Sequence, residues 1–246
     1  MASNTAYHAA GRVISCLGER GIRAERADVP IRELCLRAGI ATALKNGLLS
    51  FGEFGSRVVC QTLAIRIGLP AAETEWKEDA DGDGPMFDPR CRKCSACGRA
   101  CPSKAIKTDG FRFRNCLRGK LEGDIIPDEV KSGLPFLFGC ERCQYVCPVN
   151  RLIPETKEIP EELTVDAILR DGGKRALALI GKNQNKGGRV TAHACILAAR
   201  TGRSDLLPLI EPLCTDRRPM VSDAAEWASR RLRNTPEMQS ASPQRE

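Results

Sequence analysis

The sequence is poor in aromatic residues and contains no long apolar run. Aromatic side chains make up 4% of its 246 residues. So few rings argue against base stacking as the main mode of nucleic-acid binding, because such platforms need exposed aromatics. No stretch approaches the roughly 18–20 apolar residues of a membrane-spanning helix, so we expect a soluble protein without a membrane partner.

The N-terminal stretch MASNTAYHAAGRVIS shows neither an apolar signal sequence nor a twin-arginine pair. We therefore expect a cytoplasmic protein. A chain of this length buries a core without covalent staples. The thirteen cysteines are an odd number in a chain expected to be in a reducing compartment, and this argues against a disulfide framework.

The formal net charge of +7 fits an acidic partner, but basic proteins without such a partner are common. Arginines near the C-terminal end form one candidate surface for phosphate groups. The same residues also fit a solvated helix face with cations near the helix C-terminus. These arginines are Arg217, Arg218, Arg230, Arg231 and Arg233.

The pattern along the chain predicts five regions. Residues 1–70 contain two predicted helices, Tyr7 to Arg23 and PIRELCLRAGI, then a glycine loop and a buried strand over Val58 to Ile67. Residues 71–89 form an acidic linker rich in glycine and proline, and 90–153 hold the cysteine-rich module. Residues 154–234 are helical, and 235–246 form a disordered tail.

Two local signals add detail to the module and to the helical region. In the module, KAIKTDGFRFRNC favours a small hairpin with Asp109-Gly110 in its turn. In the helical region, Gly202 is a candidate left-handed cap, Ser204 a candidate N-cap and Pro219 a first-turn residue. Short helices of this kind suggest a HEAT-like unit, and a small all-α bundle is the alternative.

The cysteines of CRKCSACGRACP have the C-x2-C-x2-C-x3-C-P spacing of bacterial ferredoxins. A tight loop of this kind supplies three thiolates, Cys91, Cys94 and Cys97, to one [4Fe-4S] cube. In two-cluster proteins the cysteine before the proline binds the other cluster, so Cys101 is assigned to a second cube. The first quartet is therefore incomplete by itself.

A second run, GCERCQYVCP, contributes Cys140, Cys143 and Cys147, and Cys116 lies between the two runs. Crossing the runs assigns four thiolates to each cube. The first cluster then has Cys91, Cys94, Cys97 and Cys147, and the second has Cys101, Cys116, Cys140 and Cys143.

A zinc site of four thiolates is the structural alternative. It does not need the third cysteine of the first run or the proline that follows each run. We expect the two histidines, His8 and His193, to be helix residues without a metal. The remaining five cysteines have apolar neighbours and are predicted to lie in the core: Cys16, Cys35, Cys60, Cys195 and Cys214.

Together, CRKCSACGRACPSKAI and GCERCQYVCPVN resemble the iron–sulfur module of the epoxyqueuosine reductases and the related corrinoid-dependent reductive dehalogenases. Upstream, LCLRAGIATALKNGLLSFGEFGSRV looks like the two loops that form part of the corrinoid site in those families. The helices after Pro154 look like the HEAT-like part that the epoxyqueuosine reductases use against tRNA.

The resemblance implies an α+β protein: a partial α/β N-terminal domain, a ferredoxin-like module with two [4Fe-4S] clusters and a HEAT-like helical region. It implies an external electron donor such as a ferredoxin or flavodoxin, and tRNA or another acidic molecule as partner. A cobalamin would lie beside residues of the two loops. These residues are Lys45, Asn46, Gly47, Gly55 and Ser56.

Two functions follow from this resemblance, and the sequence leaves open whether the chain is an enzyme. The first is a reductase of the epoxyqueuosine-reductase type, with no catalytic residue assigned. The second is a ferredoxin-like electron-transfer protein that no longer binds corrinoid. The second is favoured by Ala41 and Leu44, which stand where the families have glycine. An exported dehalogenase is a third, weaker option, because we find no twin-arginine leader.

Overall fold

The computed structural model describes residues 2–66, 87–154 and 158–234. Ten α-helices lie in these ranges, and short 3₁₀ turns connect several of them. The helices are α1 (Ala2–Gly18), α2 (Ile31–Arg37), α3 (Ala96–Ala100), α4 (Asp128–Gly133), α5 (Arg142–Tyr145), α6 (Val165–Asp171), α7 (Lys174–Ile180), α8 (Arg189–Arg200), α9 (Leu207–Ile210) and α10 (Pro219–Arg233). None of these helices has both the length and the apolar character needed to cross a bilayer.

The strands in the described ranges are short and form three antiparallel ribbons. β1 pairs with β4, β2 with β3 and β5 with β6. The strands are β1 (Arg23–Arg26), β2 (Thr42–Ala43), β3 (Leu49–Ser50), β4 (Leu63–Arg66), β5 (Ile106–Lys107) and β6 (Gly110–Phe111). The described residues are thus mostly helical, and their N-terminal part has antiparallel ribbons where we expected an α/β arrangement.

Two compact units make up the chain, and each is discontinuous in sequence. The first contains residues 1–112 and 142–155, and the second contains 113–141 and 156–246. The predicted limits at residues 70, 90 and 154 do not coincide with these units. Those limits remain predictions.

In the first unit, α1 packs against the ribbon of β1 and β4. Arg26 of β1 donates to the Tyr7 carbonyl over 2.9 Å, and its guanidinium lies 3.8 Å from the centre of the Tyr7 ring. The buried strand expected over Val58 to Ile67 is wrong. β4 is only four residues long and mostly exposed, and Val58 and Val59 are also exposed. Ile67 lies outside the described residues.

The predicted linker ends in an ordered segment. Residues 71–86 lie outside the described ranges, but Phe87 bridges to Ala43, and Asp88 N–H donates to the Ala43 carbonyl over 2.8 Å. Asp88 is buried. The residues immediately before the first cysteine are therefore fixed against β2.

The small hairpin is confirmed. β5 and β6 pair with Lys107 opposite Gly110, so the two-residue turn is Thr108-Asp109, one position earlier than predicted. Gly110 has φ 135°, which only glycine adopts readily. Glycine therefore stands at the first residue of the returning strand.

The core of the second unit surrounds α8. Nine of the twelve residues of α8 are buried, which is typical of a central helix that is apolar on all sides. It packs against α6 and α10. The prediction for Pro219 is confirmed because it begins α10, and Gly202 has the expected left-handed φ of 69°. Ser204 begins a 3₁₀ turn and caps nothing with its side chain.

Segment 113–141 of the second unit is anchored to that core by two buried groups. Lys131 of α4 is 2% exposed and forms ion pairs of 2.8 Å with Asp128 and with Asp223 of α10. His193 Nδ1 lies 2.6 Å from the Leu137 carbonyl. A carbonyl only accepts, so Nδ1 carries the proton, which confirms His193 as a helix residue that fixes neighbouring backbone.

Four of the five predicted core cysteines lie in or beside a core. Cys35 and Cys195 are buried, and Cys60 and Cys214 are half-buried. Cys16 is the exception because it is exposed on α1, where an Arg20 guanidinium nitrogen approaches its sulfur at 2.6 Å. Val13, three positions before Cys16 on the same helix face, is also exposed, so this face of α1 is open to solvent.

Burial of His193 predicts a pH-dependent stability. Burial lowers its pKa from 6.5 to about 4. Between these values the unfolded chain binds a proton that the folded chain excludes, so the free energy of unfolding falls as pH falls. The slope approaches about 1.4 kcal/mol per pH unit at its maximum. We expect His193→Gln to abolish this dependence between pH 5.5 and 7 in urea unfolding followed by circular dichroism.

His8→Gln is the matched control, because His8 is the other histidine of the chain and is exposed on α1. It should keep the slope of the unaltered chain. A His193→Gln variant with that same slope would contradict the assignment.

Candidate iron–sulfur site

The four thiols predicted for the first cluster all belong to the first unit. Cys91 ends a 3₁₀ turn, Cys97 lies in α3, and Cys147 precedes another 3₁₀ turn. These three are buried, and Cys94 is half-buried. Helix α3 packs against α5. Helix α5 contains Cys143 of the second cysteine run and ends two residues before Cys147. This contact brings Cys147 to the first run.

Two of the first four thiols have a raised pKa. Burial raises the pKa of Cys97, and the neighbouring Cys91 and Cys147 raise it further. Burial also raises the pKa of Cys147. Cys91 and Cys147 pack in one buried cluster, so thiols of the two runs are neighbours in the fold. The assignment of all four thiols to one iron–sulfur cluster remains a prediction.

An apolar wall and an ion pair enclose this group. Leu44 and Val149 are buried with Cys91 and Cys147, and Leu48 and Phe87 pack against them. Such a wall limits access of water to the group. On the other side, Arg90 holds the turn that carries Cys91.

Asp88 and Arg90, which the sequence analysis missed, fix that turn. The Asp88 carboxylate accepts from Arg90 N–H at 2.9 Å and from the Arg90 guanidinium at 2.8 and 2.9 Å. Thr42 Oγ1 donates to it over 3.0 Å. The Arg90 hydrogen bonds lower the pKa of Asp88 to about 2, although its burial acts in the opposite direction. The available signal was the Asp-Pro-Arg sequence, in which aspartate caps a turn that starts with proline.

Cys101 is buried in a turn that favours the thiolate. Ala105 N–H donates to its sulfur over 3.2 Å, and Ser103 Oγ lies at 3.6 Å. Burial acts to raise the pKa of Cys101, but hydrogen bonds from the Ser103 hydroxyl and from backbone N–H groups of the turn outweigh it, so the net shift is downward. Lys104 of this turn has φ 52°, the only positive φ of a non-glycine residue in the described ranges. The turn is folded around the sulfur.

The other three thiols predicted for the second cluster are half-buried. Cys143 lies in α5. Cys143 and Cys101 belong to the first unit, whereas Cys116 and Cys140 belong to the second. Cys116 N–H donates to the Phe113 carbonyl over 2.9 Å, and Cys140 packs beside the core of the second unit. Their grouping into one cluster remains a prediction.

The first of the two loops predicted for corrinoid lies against the cysteine module. Lys45 Nζ donates to the Arg92 carbonyl over 2.9 Å and contacts the Cys94 carbonyl at 3.4 Å. Asn46 is 4% exposed. A Cβ on Gly47, which has φ 83°, would lie 2.4 Å from the Phe111 ring. The Lys45 side chain therefore has partners within the protein, and the Phe111 ring occupies the space beside Gly47.

The second loop lies against the other cysteine run. Ser56 N–H donates to Asn150 Oδ1 over 2.8 Å, and Asn150 Nδ2 donates to Ser56 Oγ over 3.0 Å and to the Gln144 carbonyl over 2.9 Å. Gly55 has φ 58°, and a Cβ there would lie 2.6 Å from the Val149 carbonyl. Asn150 was not predicted, and nothing local in the sequence indicates a partner 94 positions away.

The donor set of the first group fits a [4Fe-4S] cluster in its chemistry. It consists of thiols alone, and Cys91 and Cys147 from the two runs pack in one buried cluster. Thiolates are the ligands of such clusters, and each binds a different iron. Within residues 2–66, 87–154 and 158–234, no three His, Cys, Asp or Glu side chains are grouped closely enough to ligate one metal ion.

Comparisons with known proteins agree with this reading. Residues 90–150 match the family described as 4Fe-4S double cluster binding domain. An epoxyqueuosine reductase from Lactococcus garvieae is 30% identical over 216 residues, which are 80% of this chain and 57% of that protein. One from Bacillus subtilis is 28% identical over 224 residues, covering 83% of this chain and 53% of the relative.

Solved structures show the same likeness in fold. A crystal structure of epoxyqueuosine reductase with a tRNA-Tyr epoxyqueuosine-modified stem loop has a TM-score of 0.68 at 22% identity, covering 94% of this chain and 63% of that one. A Bacillus subtilis epoxyqueuosine reductase structure has a TM-score of 0.64 at 25% identity, and the match covers 86% of this chain and 57% of that one.

The chain spans little more than half the length of the curated relatives it matches, 57% and 53% for the two above. The match nevertheless includes the cysteine module and extends over about four fifths of this chain. This protein is therefore similar to the epoxyqueuosine reductases over most of its length, and its residues 90–150 form a 4Fe-4S double cluster binding domain.

Proposed function

We propose that this chain is an iron–sulfur protein similar to the epoxyqueuosine reductases that passes electrons through two [4Fe-4S] clusters, either to a reducing centre of its own or to a separate acceptor. The first is bound by Cys91, Cys94, Cys97 and Cys147. The second is bound by Cys101, Cys116, Cys140 and Cys143. The observation that carries the proposal is the packing of Cys91 and Cys147 in one buried cluster, because it joins thiols from both cysteine runs.

Each cluster, when bound, would accept and release one electron at a time. The chain's own residues supply the conditions for this. Leu44 and Val149 keep water from the first set of thiols, and backbone N–H groups around Cys101 stabilise a thiolate. An external donor of the ferredoxin or flavodoxin class would supply the electrons. Each transfer then reduces one cluster and oxidises the donor by one electron.

Cobalamin is the reducing centre that the resemblance implies, and the described residues do not fit it well. Lys45 and Ser56 are hydrogen-bonded to protein atoms, and the space beside Gly47 and Gly55 is occupied by Phe111 and by Val149. These contacts favour the second function, in which this chain delivers electrons to a separate acceptor.

Metal analysis of cysteine variants tests the two clusters. After anaerobic purification we expect about eight irons and eight sulfides per chain. Cys101→Ala should lose the second cluster and Cys147→Ala the first, each retaining about four irons. The two variants should keep different signals in the electron paramagnetic resonance spectrum of the reduced protein.

Cys35→Ala is the control, because Cys35 is as buried as Cys101, at 7% against 8% exposure, and belongs to the same unit. It should retain all the iron. Fewer than about eight irons in the unaltered chain, or full iron in Cys101→Ala, would contradict the two-cluster assignment.

Cobalamin titration separates the two functions. We expect no change in the absorbance spectrum of cobalamin when the iron-loaded chain is added, because both loops already contact protein. A base-off spectral change with one-to-one stoichiometry would refute this and establish the reductase reading with corrinoid.

We further propose an RNA stem loop as the acidic partner, with contact through α10. Arg230 and Arg231 are both exposed near its end, where the phosphates of an RNA can reach them. Arg218 and Arg233 lie in the same part of the chain and form ion pairs of 2.7 Å with Asp216 and Glu211. Arg230 and Arg231 are therefore tested as an exposed pair that is adjacent in sequence on α10.

Arg230→Gln combined with Arg231→Gln should weaken binding of an RNA stem loop about tenfold or more at low salt. It should also reduce the slope of log K against log salt by about 1.5 to 2. Filter binding across a salt series measures both quantities. Arg233→Gln is the control with a smaller expected effect, and equal binding by the double variant and the unaltered chain would contradict the proposal.

A further inference from the structure

The turn Leu44–Leu48 joins β2 to β3 and lies directly on the first set of thiols. Leu44 N–H donates to the Leu48 carbonyl over 2.9 Å, and Gly47 N–H donates to the Leu44 carbonyl over 3.0 Å. Both leucines pack in the apolar group that contains Cys91 and Cys147. Lys45 and Asn46 are thus held between two residues that touch the predicted cluster ligands.

Lys45 brings a positive charge to the loop of the first cysteines. Its ammonium donates to the Arg92 carbonyl and contacts the Cys94 carbonyl, at 2.9 and 3.4 Å. Arg92 and Cys94 lie within the loop that supplies three of the four thiolates. A cation fixed at this place stabilises additional negative charge on a group bound by that loop.

Asn46 presents a buried donor. The side chain is 4% exposed, and its Oδ1 accepts from Leu48 N–H over 3.2 Å. Its Nδ2 is buried and has no hydrogen-bond partner among the described residues. A buried amide N–H without an acceptor costs free energy, and most such groups in native proteins are paired. An acceptor is therefore expected beside Asn46.

We propose that the Lys45-Asn46 turn tunes the first [4Fe-4S] cluster, with Asn46 Nδ2 donating to a sulfur of that cluster and Lys45 acting through the Arg92–Cys94 loop. The proposal rests on the first cluster of the proposed function. When the cluster takes up one electron from a ferredoxin or flavodoxin donor, its charge becomes more negative by one. A hydrogen bond to its sulfur and a nearby cation both stabilise that reduced state and raise the reduction potential.

Redox titration of the iron-loaded full chain, followed by electron paramagnetic resonance, tests this. Asn46→Leu and Lys45→Gln should each make one of the two clusters harder to reduce. We expect the ratio of reduced to oxidised cluster at a fixed potential to fall about tenfold, which corresponds to about 59 mV for a one-electron couple. The other cluster should keep its potential, and Lys45→Arg should restore most of the shift.

Lys107→Gln is the charge-matched control, because Lys107 is an exposed lysine of β5 in the same unit. It should leave both potentials unchanged. If Asn46→Leu loses iron, Asn46→Asp keeps the shape and adds negative charge, so it should lower the potential further. Loss of half the iron from both Asn46 variants, with unchanged helix content, would also place Asn46 at the first cluster.

Iron and sulfide counts separate this inference from the proposed function. An unaltered chain without two clusters refutes the proposed function. Two clusters in the unaltered chain, with unshifted potentials in Asn46→Leu and Lys45→Gln, refute the tuning turn alone. A shift in Lys107→Gln as large as that in Lys45→Gln would also refute it, because the effect would then be one of general surface charge.

Discussion

The need to gather several thiolates in one buried place governs the first unit. Burial and mutual repulsion both oppose ionisation of such thiols, as the raised pKa of Cys97 shows. The surrounding fold counteracts this with oriented dipoles and cations. Arg90 is locked beside Cys91 by Asp88, and Lys45 is bound to the Cys94 carbonyl. The irons of a bound cluster would complete this compensation, so metal binding and folding of the module are coupled.

The sequence predicted the part of the site that depends on local spacing. Cys91, Cys94 and Cys97 lie on one tight turn and one short helix, because three-residue intervals bring side chains together in either. The packing of Cys147 beside Cys91 agrees with the crossed pattern, in which the cysteine before proline binds the neighbouring cluster. Asn150 could not be predicted, since its bonds to Ser56 depend on how two distant segments pack.

The failed prediction of a buried strand has a physical cause. The run from Val58 to Ile67 is rich in β-branched and apolar residues, which favour strands. Burial also requires a layer above the strand. Among the described residues β4 pairs with β1 in a two-stranded ribbon, and three of its four residues are exposed. Composition alone is therefore a better guide to the presence of a strand than to its burial.

Gly47 and Gly55 belong to the loops that resemble a corrinoid site, but both glycines are in close contact with other parts of this chain. Glycine permits close approach of any group, whether a cofactor or another part of the chain. Here the approaching groups are Phe111 and the Val149 carbonyl, both in the unit that contains the four thiols predicted for the first cluster. Substituting either glycine would disturb the contact between its loop and the cysteine module, whether or not a corrinoid binds. Glycine at these two positions is therefore not by itself a sign of a cofactor, because close packing of the loop on the cysteine module requires it equally.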